Sequence, residues 1–397
     1  MFSFIISAVF SLIALKYLPL PFLWTSLGWV LCFAFYFYRS DKYAYKAIWF
    51  NIAFILLVLG IIEVFSWRSL RKEEETTRYE IQYSRGPNTY NDILGYAPRS
   101  GNTIVTKKYK EEQLLYDATY TIGDDGLRIT PKFELNEWDQ CVVFFGGSFT
   151  FGEGLNDEET MPYIVGKLSK YNTYNFGFYG YGPHQMLSAL EWGMVERIVD
   201  RRPKIGIYQV PRTHVLRSAG LSNWDNHGPE YILLPDGTVK FNGHFDDESP
   251  PATRNENTAF SSRIIVQLNK SYLFKKYIEN ILPYSDEAIE LFIAIIEAAK
   301  KEFTGRFPGS DFHVIFWDYK PNHRDSKTIR EELSSRGIKI HLISSILPDF
   351  NRQKEQYEIS PYDLHPNALA QETIAQYVVD FILNESSGRM SKGESQK

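Results

Sequence analysis

The chain has 397 residues, a net charge of −5 and 23% charged residues, with a pI near 6.0 and a mean hydropathy of −0.28. This length holds one large domain plus a second element, and the acidic balance gives no footprint for nucleic acid, so no nucleic-acid partner is expected. The two cysteines, Cys32 and Cys141, lie far apart in apolar runs, which excludes a disulfide framework or a cysteine metal site.

Three apolar runs open the sequence: Phe2 to Leu15, Phe22 to Tyr38 and Ala47 to Trp67. The third is long enough to span a bilayer, although it carries Glu63 near its end. The second is at the lower limit, and the first is short unless Tyr17 and Leu18 extend it past Lys16. A cleaved signal peptide fits poorly, because there is neither a basic n-region nor a small-residue cleavage site. Residues 1–67 are therefore expected to form two or three transmembrane helices. The loop from Arg39 to Lys46 carries three basic residues (Arg39, Lys42 and Lys46). Positive charge favours the cytoplasm, which puts everything after Trp67 on the extracytoplasmic side. Arg68, Arg71 and Lys72 argue the other way, but Glu73, Glu74 and Glu75 follow at once.

Residues 68–80 are charged and read as a helical extension or linker. Strand-like segments follow between Tyr90 and Pro131: Ile93 to Tyr96, then Ala118 to Ile122, with a Gly123-Asp-Asp-Gly126 turn. Residues 68–135 thus form a linker and a small β-rich lead-in. From about 136 to 385 strands and helices alternate. Strands are expected at Cys141–Phe145, Asn172–Phe178, Ile205–Val210, Phe312–Trp317 and Ile338–Ile343. Helices are expected at Glu158–Ser169, His184–Val199, 285–305, 325–336 and 367–384. This alternation predicts an α/β domain with a mostly parallel sheet covered on both faces, its chemistry at the carboxyl ends of the strands. Residues 218–285 break the rhythm and read as an insertion over that edge. The polar tail, 386–397, is expected to be disordered.

The first chemical motif is Gly146-Gly147-Ser148-Phe149-Thr150-Phe151-Gly152, directly after the first strand of this domain. A serine there sits where helix-start N–H groups point outward, and its hydroxyl needs a base to become a nucleophile. It is not a Walker loop, nor the Gly-x-Ser-x-Gly elbow, because Thr150 replaces the second glycine. Alone it also reads as a glycine-rich turn with a capping serine. The second motif is Tyr362-Asp363-Leu364-His365-Pro366-Asn367, before the final helix. A capping cluster explains Pro366 but not His365. His184, His214 and His341 read as structural. Asp318, at the end of a strand, is placed to contact substrate without specific support. No His/Asp/Glu spacing suggests a metal site.

Taken together, these blocks resemble the SGNH/GDSL hydrolase family over roughly Asp139 to Leu383, with Ser148 and Gly152 matching the serine block and Gly147 replacing the family's aspartate. Asp363-Leu-His365-Pro366 is closer-spaced than the usual Asp-x-x-His-Pro. This resembles the membrane-anchored envelope branch that includes the alginate O-acetyltransferases. Asn175 and Gly180 match the second block. The third block's asparagine is absent: counting forward from Pro203 reaches Pro211-Arg212-Thr213-His214, where Thr213 or Arg212 would have to donate instead.

The resemblance implies a flavodoxin-like parallel sheet, no cofactor and no metal. It also implies a nucleophile, Ser148, a base, His365, and Asp363 orienting the imidazole. The oxyanion would be held by the N–H groups of Ser148 and Gly180, and by the count above Thr213, with Arg212 next in line, takes the third place. The substrate implied is an acylated carbohydrate or other ester, and the activity an esterase or deacetylase. An O-acetyltransferase using the same site and a non-catalytic glycan-binding protein on the same fold stay open.

Overall fold

The computed structural model describes residues 7, 21–40, 42–134, 140–222, 224–247, 271–278, 284–319 and 323–384. The chain divides into two compact units: 1–78 with 254–283, and 79–253 with 284–397. Most of the first apolar run and the polar tail lie outside the described residues.

In the first unit the second and third apolar runs form helices Pro21–Arg39 and Tyr43–Glu75. The two or three expected spans reduce to one that is long and apolar enough to cross a membrane among the described residues, beginning at Tyr45. Glu63, the odd charge in the long helix, is buried. Its carboxylate accepts from Ser271 Oγ at 2.8 Å, Tyr272 N at 2.8 Å and Leu273 N at 3.0 Å. It therefore caps the segment leading into the helical turn Phe274–Ile278.

The helix ends at Glu75, so the expected helical extension stops short of 80; strand β1, Thr77–Tyr83, follows instead. Strands β2 (Thr89–Asn91) and β3 (Gly95–Ala97) form a small hairpin, while β4 (Thr103–Lys110) and β5 (Gln113–Thr121) complete a sheet of order β1-β4-β5. β4 alternates buried and half-buried residues over most of its length, as expected for a sheet with one face against a core.

The main sheet comprises β6 (Gln140–Gly146), β7 (Asn172–Asn175), β8 (Arg202–Pro211), β11 (Asp311–Trp317) and β12 (Lys339–Leu342), all parallel. Strands β9 (Pro229–Leu233) and β10 (Val239–His244) form an antiparallel hairpin within the expected insertion. The order β12-β11-β8-β6-β7 is the 2-1-3-4-5 arrangement of flavodoxin-like sheets, whose connections reverse direction between the first and third strands. Alternation along β6 explains why both faces are apolar: Val143 and Phe145 pack with Leu187, Phe292 and Phe303. Val142 and Phe144 pack on the other face with Met161, Val165 and Ile374. The expected helix His184–Val199 is broken into Pro183–Glu191 and Met194–Ile198 at Gly193.

Arg128 joins the lead-in to this sheet. Its side chain is fully buried, with Nε 2.8 Å from Asp157. Its Nη1 donates to the carbonyls of Phe151 and Gly152, and Nη2 to that of Leu155. The one-turn helix, Ser148–Phe151, and its exit loop leave the Phe151 and Leu155 carbonyls to this side chain, while the Gly152 carbonyl also accepts from Leu155 N. Arg128→Met is expected to remove the ion pair of Asp157, which keeps only Thr121 N as a donor, and to leave the Phe151 and Leu155 carbonyls without this donor. It should lower unfolding stability by about 3–5 kcal/mol, measured by denaturant titration of the wild-type and variant proteins.

Candidate active site

β6 ends at Gly146, and Gly147 caps the one-turn helix Ser148–Phe151. Ser148 thus stands at the carboxyl end of β6, beside β8, at the point where the strand order reverses. This is where ligands bind in open sheets of this type. From the other side the C-terminal helix Ala368–Tyr377 holds the turn, because Gln371 Nε2 donates to the Phe149 carbonyl at 2.8 Å and its Oε1 accepts from Met161 N.

Asp363 and His365 lie in β14 (Asp363–Pro366), which pairs with β13 (Glu358–Ser360). In an extended strand, residues two apart project from the same face. The close Asp-x-His spacing therefore brings the two side chains together without a helical turn. His365 Nδ1 donates to Asp363 Oδ1 at 2.5 Å, and Asp363 Oδ1 also accepts from His365 N at 3.1 Å. That leaves His365 Nε2 as acceptor for the Ser148 hydroxyl at 2.9 Å. Asn367, the N-cap of the final helix, accepts from Ala370 N and ties its amide to the carbonyls of Gln356 and Glu358. Phe149 stacks edge-on to the imidazole with centroids 5.5 Å apart.

Two residues that the sequence does not single out complete this line. Lys108, from β4, pairs with Asp363 Oδ2 at 2.9 Å. Glu153 Oε2 lies 3.3 Å from His365 Nε2. Burial pushes the Asp363 carboxyl up, but His365 and Lys108 outweigh it and hold it down to about 2. Burial pushes His365 down, and Glu153 and then Asp363 outweigh that, so its pKa is raised. The linkage follows from these directions. Asp363 contributes stability that is present above the ordinary carboxyl range and lost as pH falls towards 2. His365 contributes stability that is present below its ordinary value and lost as pH rises through its raised one.

The expected oxyanion donors differ in their surroundings. Gly180 has φ +71°, and a Cβ there would lie 2.3 Å from Trp224 Nε1 and 2.6 Å from the Tyr96 hydroxyl, so only glycine fits. Thr213 is the exposed N-cap of helix His214–Ser218 and makes no capping hydrogen bond. Arg212 is held at Asp325 by a 2.7 Å ion pair.

Arg217, one helical turn further on, packs instead against the serine loop. A Cβ on Gly147 would lie 2.6 Å from its Nη1. That nitrogen donates to the Tyr181 carbonyl at 2.7 Å and to His214 Nε2 at 2.9 Å. His214 Nδ1 in turn donates to the Tyr208 hydroxyl at 2.7 Å. Burial and then Arg217 hold His214 well below its ordinary pKa, so it stays neutral and accepts from the guanidinium.

The other singled-out residues are committed elsewhere. Asp318 accepts from Ser344 N at 2.9 Å and Ser344 Oγ at 2.6 Å. His184 pairs with Asp225 at 2.7 Å. His341 bonds His313 at 2.8 Å and Tyr377 at 3.0 Å. Among the described residues no group of three potential ligands could hold a metal.

No family model and no curated protein matches the sequence. Solved structures show distant likenesses. One is a lipolytic protein assigned to the G-D-S-L family from Desulfitobacterium hafniense, with 14% identity and a TM-score of 0.33, covering 61% of this chain and 98% of the other. A carbohydrate esterase family 2 enzyme with a carbohydrate-binding domain from Corynascus thermopiles (Myceliophthora fergusii) has 12% identity and a TM-score of 0.35, covering 79% and 88%. An acetyl xylan esterase from Butyrivibrio proteoclasticus has 12% identity and a TM-score of 0.33, covering 65% and 67%. No residue role is carried over from proteins this distant.

The charges around His365 make its titration a direct check of the site. Glu153→Gln removes the strongest raising influence, so the pKa of His365 should fall. Lys108→Met removes an opposing positive charge, so it should rise. NMR titration of the imidazole reads both, and shifts in the opposite directions would contradict the charge arrangement described.

Proposed function

We propose that this protein is a membrane-anchored serine hydrolase acting on O-acylated substrates, an esterase or deacetylase of the SGNH/GDSL type. The observation that carries this reading is the hydrogen-bonded line from Ser148 through His365 to Asp363. Serine and imidazole are already at transfer distance, and the buried carboxylate fixes the ring tautomer. In the first step His365 Nε2 takes the Ser148 proton as Oγ bonds to the ester carbonyl carbon. The imidazolium then passes that proton to the alcohol oxygen as the carbon–oxygen bond breaks. In the second step water gives its proton to Nε2 and attacks the acyl-serine, and the proton returns to Ser148 as the acid leaves. A hydroxyl acceptor in place of water would make the same intermediate serve an O-acetyltransferase.

Charge builds on the carbonyl oxygen in both steps. We assign its stabilisation to the N–H groups of Ser148 and Gly180, with the Arg217 guanidinium, rather than Thr213, as third donor. Support comes from the packing of the guanidinium at Gly147 and from the Tyr208–His214 pair that holds it; since both Nη1 protons go to Tyr181 and His214, the donation falls to another guanidinium N–H. Replacing Arg217 by Met should lower kcat by roughly 10- to 1000-fold, while Thr213→Val should change it little. The opposite ranking would return the role to Thr213.

Losing Ser148 or His365 should each cost ~10⁴-fold or more, and losing both little more, as for groups acting as one unit. Ester turnover and fluorophosphonate labelling of Ser148→Ala, His365→Ala and the double variant test this, each checked for folding. Full labelling of Ser148→Ala would sink the assignment.

The anchor is the long apolar helix, and the basic loop Arg39–Lys46 supports an extracytoplasmic catalytic unit facing envelope glycans. A periplasm-dependent reporter fused after Lys72 should be active, whereas activity of a cytoplasm-dependent reporter there would remove the envelope substrate.

A further inference from the structure

Glu153 belongs to two features at once. Its carboxylate lies 3.3 Å from His365 Nε2, and its side chain also lines a cavity of about 240 Å³ walled by Tyr79, Tyr83, Tyr116, Tyr120 and Tyr179. Tyr116 and Tyr120 are buried, while Tyr79 and Tyr83 are 48% and 38% exposed and mark the mouth. The volume is below the roughly 300–1,000 Å³ of drug-sized ligand pockets, which suits one ring or a short chain.

The chemistry of the wall decides between these occupants. Burial raises the pKa of the Tyr116, Tyr120 and Tyr179 phenols, so they stay protonated and present hydroxyls beside their ring faces. Among the described residues His365 is the only ion-pair partner of Glu153. An acyl chain filling the cavity would strip water from that carboxylate and give it no donor, an unfavourable exchange. A cationic alcohol would meet the chain's own cation, since Lys108 Nζ already stands 5.2 Å over the Tyr79 ring. A ring bearing hydroxyls meets neither objection.

We propose that this cavity is the alcohol subsite: the tyrosines hold a sugar ring, and Glu153 accepts a hydrogen bond from the hydroxyl next to the acylated oxygen. The inference rests on the reading of Ser148 and His365 as acyl-transfer groups. The ester's alcohol oxygen must reach His365 Nε2 to receive its proton. A hydroxyl on the adjoining carbon then falls within reach of the carboxylate beside that nitrogen. Glu153 so acts on which alcohol is accepted, while the tyrosines set the room for its ring.

The test uses the full chain in detergent micelles. Mono-O-acetylated methyl glucosides with a free neighbouring hydroxyl are compared with their analogues lacking that hydroxyl, in wild type and in Glu153→Gln. Turnover of 4-nitrophenyl acetate by both proteins divides out any change in His365 itself. Deleting the hydroxyl should cost the wild type about 10-fold or more in kcat/KM. Glu153→Gln should cost a similar factor on the intact sugar, and the two losses should not multiply. Tyr83→Ala should raise KM for the sugar esters more than for the aryl acetate. Multiplying losses, or a wild type indifferent to the hydroxyl, overturns the proposal. So does preference for acetylcholine or 4-nitrophenyl hexanoate over every acetyl glucoside.

If no ester is turned over, the hydrolase reading fails separately. Calorimetric titration of Ser148→Ala with methyl glucoside then reads the cavity alone. Binding weakened by Glu153→Gln and by Tyr83→Ala sustains the subsite, and no binding removes it.

Discussion

Asp363 is the constraint around which the site is arranged. Its side chain is 1% exposed, and a carboxylate so placed must be neutral or fully paired. The chain pairs both oxygens, giving Oδ1 to the imidazole and Oδ2 to the Lys108 ammonium. Lys108 comes from β4 in the lead-in sheet, so the lead-in is part of the site. The same sheet supplies Tyr116 and Tyr120, and its exit supplies Arg128 beneath the serine turn. A flavodoxin-like sheet alone would present Ser148, but it would leave the aspartate's second oxygen in a dry interior without a partner.

The main sheet was legible because β6, β8 and β11 are short, mostly apolar runs and helical segments alternate with them, and all five expected strands correspond to strands in the structure. Their ends differ by a few residues, as hydrogen-bonding limits are not written in hydropathy. The lead-in was only partly legible. β4 reads Thr-Ile-Val-Thr-Lys-Lys-Tyr-Lys, and its run of lysines masks an alternation in which Lys108 is among the inward-facing residues. The meeting of Ser148 with His365 follows from topology, since both precede helices at one edge of the sheet. Glu153 was missed because a lone acid between glycines looks like loop solvation. What could have marked it is its position five residues after the serine, inside the turn that exposes that serine.

Two features on the serine side of the site converge on one residue, Arg217. The residue before Ser148 is Gly147. A side chain there would collide with Arg217 Nη1, the Tyr181 carbonyl and His214 Nε2. After β8 the chain turns into helix His214–Ser218, and the residue arriving at the serine loop is Arg217. Counting along the sequence stops too early, because a helical turn advances the side-chain direction by three or four residues. The bare Gly147 and the reach of Arg217 then form one arrangement, in which the guanidinium fills the space beside the serine and takes the proposed task of third oxyanion donor.

The second carboxylate at His365 gives this arrangement a different balance from a three-residue relay. Before proton transfer Nε2 has no proton to offer Glu153, and its hydrogen bond is from Ser148. Once the imidazole is charged, Glu153 lies 3.3 Å away in an incompletely solvated site, where the attraction exceeds its value in bulk water. On the proposed mechanism the imidazolium exists only as the tetrahedral intermediate forms and collapses. An interaction that grows with that charge therefore favours the transition state over the resting enzyme. The same interaction raises the pKa of His365, so a larger fraction of the enzyme is protonated and inactive as pH falls. Lys108 moderates this from the opposite end of the ring, lowering the pKa of His365 while holding Asp363 ionised. The strength of the base is thus set by opposed charges, Glu153 from the turn after the serine and Lys108 from the lead-in sheet.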